Sequence, residues 1–152
     1  MEINERLTTG LSGVAGEYFV AGELSRRGYI ASITLRNTRG IDILAANSDA
    51  TKSVGIQVKT NQGSAKQWIL NQKVEQGMAT NLFFVFVNLN NGQTAPSYHI
   101  VLSQFVADDI RTSHANWLAG KKRDGGERKD TPMRVFRDSA NQFLDRWDLL
   151  DL

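Results

Sequence analysis

Three polar residues stand in segments that otherwise have the composition of β-strands. Asp42 interrupts an apolar run, and Gln57 and Lys59 alternate with apolar residues further along the chain. Because side chains alternate between the two faces of a strand, Gln57 and Lys59 share one face. A short polar turn at residues 47–49 separates the two segments, which predicts adjacent strands. The three side chains are then expected to converge on one patch.

Each of these residues also has a purely structural explanation. Aspartate is a poor strand former, so Asp42 requires compensation such as a bulge or a hydrogen bond near a turn. Polar residues that alternate along a strand, as Gln57 and Lys59 do, are ordinary on a solvated edge. Their occurrence together in neighbouring segments favours the functional interpretation.

A fourth residue, Glu17, stands on a predicted helix. Counted at 100° per residue, Glu17 falls within an apolar stripe formed by Val14, Tyr18, Ala21 and Leu24. An unpaired carboxylate is costly to bury, so Glu17 needs a cation, a metal ion or a pocket open to water. The alternative is a glutamate at the rim of the stripe that simply reaches solvent.

These residue types suit phosphodiester hydrolysis. Mg²⁺ keeps several water ligands and needs only one or two protein groups, which the oxygens of Asp42 and Gln57 can supply. A bound divalent cation orients a phosphate and lowers the pKa of a coordinated water. Lys59 can position that water or offset negative charge on the phosphoryl oxygens. Glu17 can hold the water or Lys59 from further out.

An ordered set of short sequence elements runs from residue 13 to residue 60. In this order and at this spacing, the set resembles the PD-(D/E)XK nuclease superfamily, especially its branches similar to Holliday-junction resolvases and to methylation-dependent restriction endonucleases. The matching elements are Gly16-Glu17 with Leu24 and Gly28-Tyr29, then Gly40-Ile41-Asp42-Ile43, then Gln57-Val58-Lys59-Thr60.

The resemblance implies a fold, a site and a substrate. The implied fold is an α/β domain with a restriction-endonuclease-like three-layer core, in which a mixed β-sheet is flanked by helices. The implied active site consists of Glu17, Asp42, Gln57 and Lys59, with Asp42 and Gln57 as ligands of Mg²⁺ or Mn²⁺. The implied substrate is DNA, and relatives of this kind often act as homodimers.

One residue leaves two functions open. Gln57 stands where glutamate is commoner in the superfamily, so the metal site has one negative charge fewer, although some restriction-type branches carry glutamine here. The first function is a metal-dependent endonuclease that hydrolyses DNA phosphodiester bonds. The alternative is a nuclease-fold module with weak or no catalysis that binds nucleic acid or a protein partner.

Candidate nucleic-acid contacts lie outside the patch. Residues 121–137 contain seven basic and only three acidic residues, whereas the whole chain has a net charge of +2. This segment could contact phosphates or be an ordinary solvated loop. The residues predicted to contact DNA are Lys121, Lys122 and Arg123 in this segment, with Lys66 and, as a base-stacking candidate, Trp68.

Helices are predicted in three places. The helix that carries Glu17 is expected over residues 9–27, with Gly28 ending it. A second helix is expected to begin at Ser103 as its cap, and a last short one near Asp138. The predicted inward residues are Val106, Ile110, His114 and Trp117 in the second helix and Phe143, Trp147 and Leu150 in the last.

Strands are predicted between these helices. The segment 82–88 is almost entirely apolar, which indicates a central strand buried on both faces. A short strand at 68–70 is expected before an irregular or helical turn, and 133–136 is expected to be an edge strand. The remaining strands are predicted at residues 29–35, 40–46, 53–60 and 98–101.

Length and composition limit the class of protein. The chain of 152 residues suits one domain spanning 1–152, and 41% apolar with 22% charged residues is typical of soluble globular proteins. The sequence has no cysteine, which excludes disulfides and fits a reducing cytoplasm. Residues 1–9 lack the apolar stretch of a secretory signal, and the apolar run at 82–87 is too short to span a bilayer. A cytoplasmic protein without a membrane partner is therefore expected.

Overall fold

A central mixed β-sheet with helices on both faces organises the molecule. The computed structural model describes residues 5–35, 40–77 and 79–152, so part of the N-terminal segment considered for a signal lies outside the described residues. The elements are α1 (Thr9–Arg26), β1 (Ile30–Ile33), β2 (Ile43–Ala46), β3 (Ser53–Asn61), β4 (Gln67–Asn71), β5 (Leu82–Asn88), β6 (Ser97–Leu102), α2 (Ser103–Ala119) and β7 (Met133–Arg137).

The main sheet has the strand order β1-β2-β3-β5-β6. β3 and β5 run parallel, and every other neighbouring pair in this sheet is antiparallel. All seven residues of β5 are buried, which confirms the prediction of a central strand. β2 and β3 form a hairpin across the predicted polar turn, where Ala50 adopts a positive φ of 58°.

The sheet separates two apolar clusters. One face packs against α1 and the C-terminal turn through Val20, Leu24, Ile56 and Trp147, among others. The opposite face packs against α2 and β7 through residues that include Phe84, Phe86, Val106 and Phe136. The three-layer α/β core that the resemblance implies is therefore present.

Helix α1 begins and ends where its sequence predicts. The hydroxyl oxygen of Thr8 accepts a hydrogen bond from the N–H of Leu11, which satisfies one free amide of the first turn. Gly28 has a φ of +88°, in the left-handed region that favours glycine after a helix.

The buried side of α1 differs from the prediction. The buried residues are Ser12, Gly16, Val20 and Leu24, whereas Tyr18 is 67% exposed. Small residues at positions 12 and 16 allow the helix backbone to approach the sheet closely, so the helix rotates that side inward. Apolar periodicity alone favours the larger side chains and therefore selects the wrong face.

Helix α2 is also only partly as predicted. Val106 and Ile110 are buried, but Trp117 is 43% exposed. Leu102 is the N-cap and makes no side-chain capping bond, so the prediction that Ser103 caps the helix is wrong. Ser103 is the first helical residue and is buried, with its hydroxyl 3.5 Å from the carbonyl oxygen of Ala79.

The strand predicted at 133–136 is the β7 strand of a separate two-stranded sheet. β7 pairs antiparallel with β4, with Trp68 opposite Phe136 and Ile69 opposite Val135. The expected helical turn after β4 is present as a 3-10 helix, Gln72–Gln76. This small sheet covers the α2 side of the main sheet.

The helix predicted near Asp138 does not form. The Asp138 carboxylate instead accepts hydrogen bonds from the N–H groups of Gln142 and Phe143, and Nδ1 of His99 lies 2.7 Å from it. These bonds keep the chain after Asp138 in a series of turns. The only helical segment that follows among the described residues is a 3-10 helix, Trp147–Leu150. Among the described residues, no helix is long and apolar enough to cross a bilayer.

Candidate active site

Asp42 lies immediately before β2, at a point where the chain no longer pairs regularly with β3. Its N–H donates to the carbonyl oxygen of Ile56 (2.8 Å), although Ile56 is already the register partner of Ile43. Its carboxylate Oδ2 accepts a hydrogen bond from the N–H of Val58 at 2.7 Å. The side chain therefore replaces the backbone acceptor that a continued β2 would supply. This is the compensation that an aspartate beside a strand requires.

Gln57 and Lys59 flank Val58 on β3. Their partners across the parallel pairing are Phe84 and Phe86, so both side chains stand on the α2 side of the sheet. Both residues are partly buried, whereas Val58 is buried on the other face. Asp42 thus contacts the backbone of β3 directly between the two polar residues that the sequence singles out.

A cleft of about 480 Å³ opens where β3 ends. Lys59 lines this cleft together with Gly13 of α1, Ile69 of β4 and Arg6. Two cationic groups in a partly enclosed space provide a favourable environment for a phosphate. Asp42 and Gln57 are not among the described residues that line the cleft, but Val58, which binds the Asp42 carboxylate, is.

Glu17 approaches from the other side of the sheet. Its helix α1 packs on the face that carries Ile56 and Val58, opposite to Gln57 and Lys59. Glu17 is partly buried and lies beside the buried stripe, one turn after the cleft residue Gly13. Gly13 of the same helix and Lys59 both line the cleft at the end of β3, whereas Glu17 lies on the face opposite to Lys59 and is not among the described residues that line the cleft.

The chemistry of Asp42 and Gln57 suits a hard divalent cation that takes few protein ligands. Among the described residues, no group of three or more His, Cys, Asp or Glu side chains could hold a metal ion, so a cage made entirely of protein side chains is not formed there. The Val58 N–H fixes one carboxylate oxygen of Asp42 and thereby orients the other. A carboxylate and an amide oxygen are the kinds of ligand that Mg²⁺, which retains several waters, takes from a protein.

Trp68 is a core residue and not an exposed stacking surface. It is 1% exposed, packs against Phe86 and His99, and its indole N–H donates to the carbonyl oxygen of Val87. The alternation of β4 turns Trp68 inward, which places the neighbouring Ile69 outward with 69% of its surface exposed. Lys66, just before β4, is exposed.

The basic segment forms an ordered turn on the surface. Lys121 pairs with Glu127, and the N–H of Lys122 donates to the carbonyl oxygen of Gly126. Lys121, Lys122 and Arg123 are all exposed. At the far end of the segment, a hydrogen bond from His114 lowers the pKa of the Asp130 carboxyl below its usual range.

Two features of this site carry no sequence signal of their own. Arg6 enters the cleft only because the N-terminal segment crosses beside β3, where the Leu7 N–H donates to Gln62. Thr60 contacts Gly16 because of how closely α1 approaches β3. Gly16 is one of four glycines in α1, so the sequence does not single it out as the point of close approach.

Comparison with known proteins supports the fold. No protein-family model matches the sequence, and no curated protein matches it. Among solved structures, a Holliday junction resolvase, Hjc, from the archaeal hyperthermophile Archaeoglobus fulgidus is similar at a TM-score of 0.54 and 14% sequence identity. The match covers 91% of this chain and 95% of the resolvase chain. The chain therefore has the fold of this resolvase, as expected from its resemblance to PD-(D/E)XK nucleases.

Proposed function

We propose that this protein is a metal-dependent endonuclease that hydrolyses DNA phosphodiester bonds. The observation that carries the proposal is the 2.7 Å hydrogen bond between the Asp42 carboxylate and the N–H of Val58. This bond joins the aspartate to the centre of Gln57-Val58-Lys59 within a fold shared with a Holliday junction resolvase.

In the proposed site, Asp42 and Gln57 hold Mg²⁺ or Mn²⁺. When bound, the cation would polarise the phosphate and lower the pKa of a coordinated water. The Lys59 ammonium orients the attacking water or offsets the charge that develops on the phosphoryl oxygens. Glu17 supports Lys59 or the water from α1, and Arg6 attracts the DNA backbone into the cleft.

A cleavage assay tests this function. Supercoiled plasmid DNA and a synthetic four-way junction are incubated with the protein in Mg²⁺, in Mn²⁺ or in excess EDTA. We expect nicking or cutting with either metal and none with EDTA. Equal cleavage in EDTA would contradict the metal requirement, and no cleavage of either DNA would contradict the nuclease assignment.

Gln57 is the observation that favours a second candidate, a binding module with weak or no catalysis. Gln57, a neutral amide, lies on β3 next to Val58, whose N–H binds Asp42, and Glu17 is the only other carboxylate in the proposed site. With so little negative charge, the site could bind metal too weakly for turnover while the cleft still binds nucleic acid.

Substitution of Gln57 by glutamate distinguishes these functions. We expect Q57E to tighten divalent-metal binding, because a carboxylate coordinates a hard cation more strongly than an amide does. Titration calorimetry with Mn²⁺ measures the affinity, and plasmid nicking at graded Mg²⁺ measures activity. An active parent should need less Mg²⁺ after the change, whereas a binding module should remain inactive or gain cleavage. Unchanged affinity would show that Gln57 is not a ligand.

We also propose that the exposed basic turn contacts phosphates. Replacement of Lys121, Lys122 and Arg123 by alanine is expected to weaken duplex binding and to flatten its salt dependence. The slope of log K against log salt concentration should change by roughly 0.9 for each phosphate that the variant no longer neutralises. Fluorescence anisotropy at several salt concentrations measures this slope. A slope equal to that of the parent would show that the turn is merely solvated.

The remaining assignments follow the same proposal. Lys66, exposed beside the cleft strand β4, is proposed as a further phosphate contact. We propose one domain spanning 1–152, a cytoplasmic location that fits a sequence without cysteine, and a homodimer as its working assembly.

A further inference from the structure

Helix α1 approaches the main sheet most closely at Gly16. A Cβ atom added to Gly16 would lie 1.9 Å from Oγ1 of Thr60 and 3.0 Å from its Cβ. An ordinary van der Waals contact begins at 3.4 Å, so any side chain at position 16 requires Thr60 or the helix to shift. The other glycines within α1 behave differently: Gly10, Gly13 and Gly22 have no heavy atom within 4 Å of an added Cβ.

Packing alone sets the distance at this contact. The Thr60 hydroxyl is buried and has no hydrogen-bond partner among the described residues. No directional bond therefore fixes the spacing between α1 and β3 here, and the sizes of the atoms determine it. A methyl group at position 16 must displace Thr60 or the helix by about 1.5 Å to restore an ordinary contact.

The two residues in contact are direct neighbours of two proposed site residues. Glu17 follows Gly16 on α1, and Lys59 precedes Thr60 on β3. We infer that Gly16 is a positioning residue for cleavage: its missing side chain sets the spacing at which α1 presents Glu17 to the end of β3 that carries Lys59. This inference rests on the proposed nuclease function.

Its consequence is a specific kinetic defect. A misplacement of about 1 Å in a catalytic arrangement can lower the rate by about 100-fold. Gly16 is not among the described residues that line the cleft, so substitution there should affect the chemical step more than DNA binding. We expect G16A to lower kcat on the order of 100-fold and to change KM for plasmid DNA by less than about threefold.

Gly22 provides the matched control. It lies on the same helix, is exposed and has open space where a Cβ would stand. G22A makes the same chemical change and improves helix propensity, so parental kcat and KM are expected. If any alanine in α1 impaired activity, kcat would fall equally in G16A and G22A.

A second substitution tests the contact directly. T60A removes Oγ1 and Cγ2, the atoms at 1.9 and 3.1 Å, and leaves only Cβ at 3.0 Å. We expect the G16A/T60A double variant to recover at least about tenfold of the rate that G16A loses. If G16A does not fold, T60L provides a substitute test. Its larger side chain increases the distance between α1 and β3 from the strand side, and it is expected to lower kcat as G16A would.

The experiment measures steady-state nicking of supercoiled plasmid in Mg²⁺ for the parent and the four variants, with thermal unfolding to show that each is folded. A folded G16A with the parental kcat would overturn the inference alone. So would a double variant that is folded but no more active than G16A. A parent that cuts no DNA would overturn the proposed function, and this inference with it.

Discussion

Replacement of Asp42 by asparagine is expected to reduce DNA cleavage on the order of 100-fold or more without unfolding the protein. The asparagine oxygen can still accept the Val58 N–H, so the backbone geometry at the end of β2 is retained while the negative charge is lost. Removal of a group that only supports a metal ligand lowers metal affinity or activity by about 10- to 100-fold, and removal of a direct ligand should lower it at least as much. Plasmid cleavage under graded Mn²⁺ measures this effect.

Two further variants show whether the loss of cleavage is specific to Asp42. D49N makes the same chemical change at an exposed aspartate in the turn between β2 and β3, and it should cut DNA like the parent. K59A should lose cleavage to a similar degree but keep its metal affinity, because an ammonium is not a metal ligand. If D42N cuts DNA at the parental rate in saturating metal, Asp42 has no catalytic role.

Replacement of Asp138 by alanine is expected to destabilise the protein by about 3 kcal/mol or more, because each buried hydrogen-bond donor that loses its acceptor costs about 1–3 kcal/mol. The Asp138 and His99 side chains are only 3% and 1% exposed. Loss of the carboxylate leaves Nδ1 of His99 and the N–H groups of Gln142 and Phe143 without their acceptor. Urea unfolding followed by tryptophan fluorescence measures the free energy.

A matched aspartate shows what an exposed partner contributes. Asp151 pairs with Lys52 on the surface, where ion pairs contribute about 0–1 kcal/mol. Asp151 has a positive φ of 52°, which asparagine tolerates better than alanine. D151N should therefore change the free energy of unfolding by no more than about 1 kcal/mol. If D138A unfolds at the same urea concentration as D151N, the buried pair does not hold the C-terminal segment against β6.

Local patterns in the sequence correctly indicated most of the strands and helices. An unbroken apolar run predicts β5 as a central strand because both of its faces must be buried. Thr8, Gly28 and the polar turn after β2 act within a few residues, so their effects are local and do not depend on the rest of the fold.

The candidate site was predictable to the same extent. Alternation along β3 is a local property, and it separates Gln57 and Lys59 from Val58 in the sequence as in the structure. The position of Asp42 could not be predicted from local patterns, because its carboxylate binds the backbone N–H of a residue 16 positions later in the chain. Regular pairing between β2 and β3 has already ended there. Sequence pattern placed Asp42 within a strand, and the structure places it just before one.

Two of the errors concern residues whose environment depends on distant segments. The contact between Gly16 and Thr60 determines which side of α1 is buried, and so it leaves Tyr18 exposed. Likewise, Trp68 is buried because β4 pairs with β7, a strand that lies more than 60 residues later in the chain.

The sequence by itself determined the order of the two long helices and the strands, the central strand, and the residue types that could bind a metal and a phosphate. Only the tertiary structure decided that the Asp42 carboxylate meets β3 at Val58 and that Lys59 shares a cleft with the first turns of α1. The physical reason is the range of the interactions. Propensity, capping and alternation act over a few residues, whereas close packing and buried hydrogen bonds join groups that are distant in sequence.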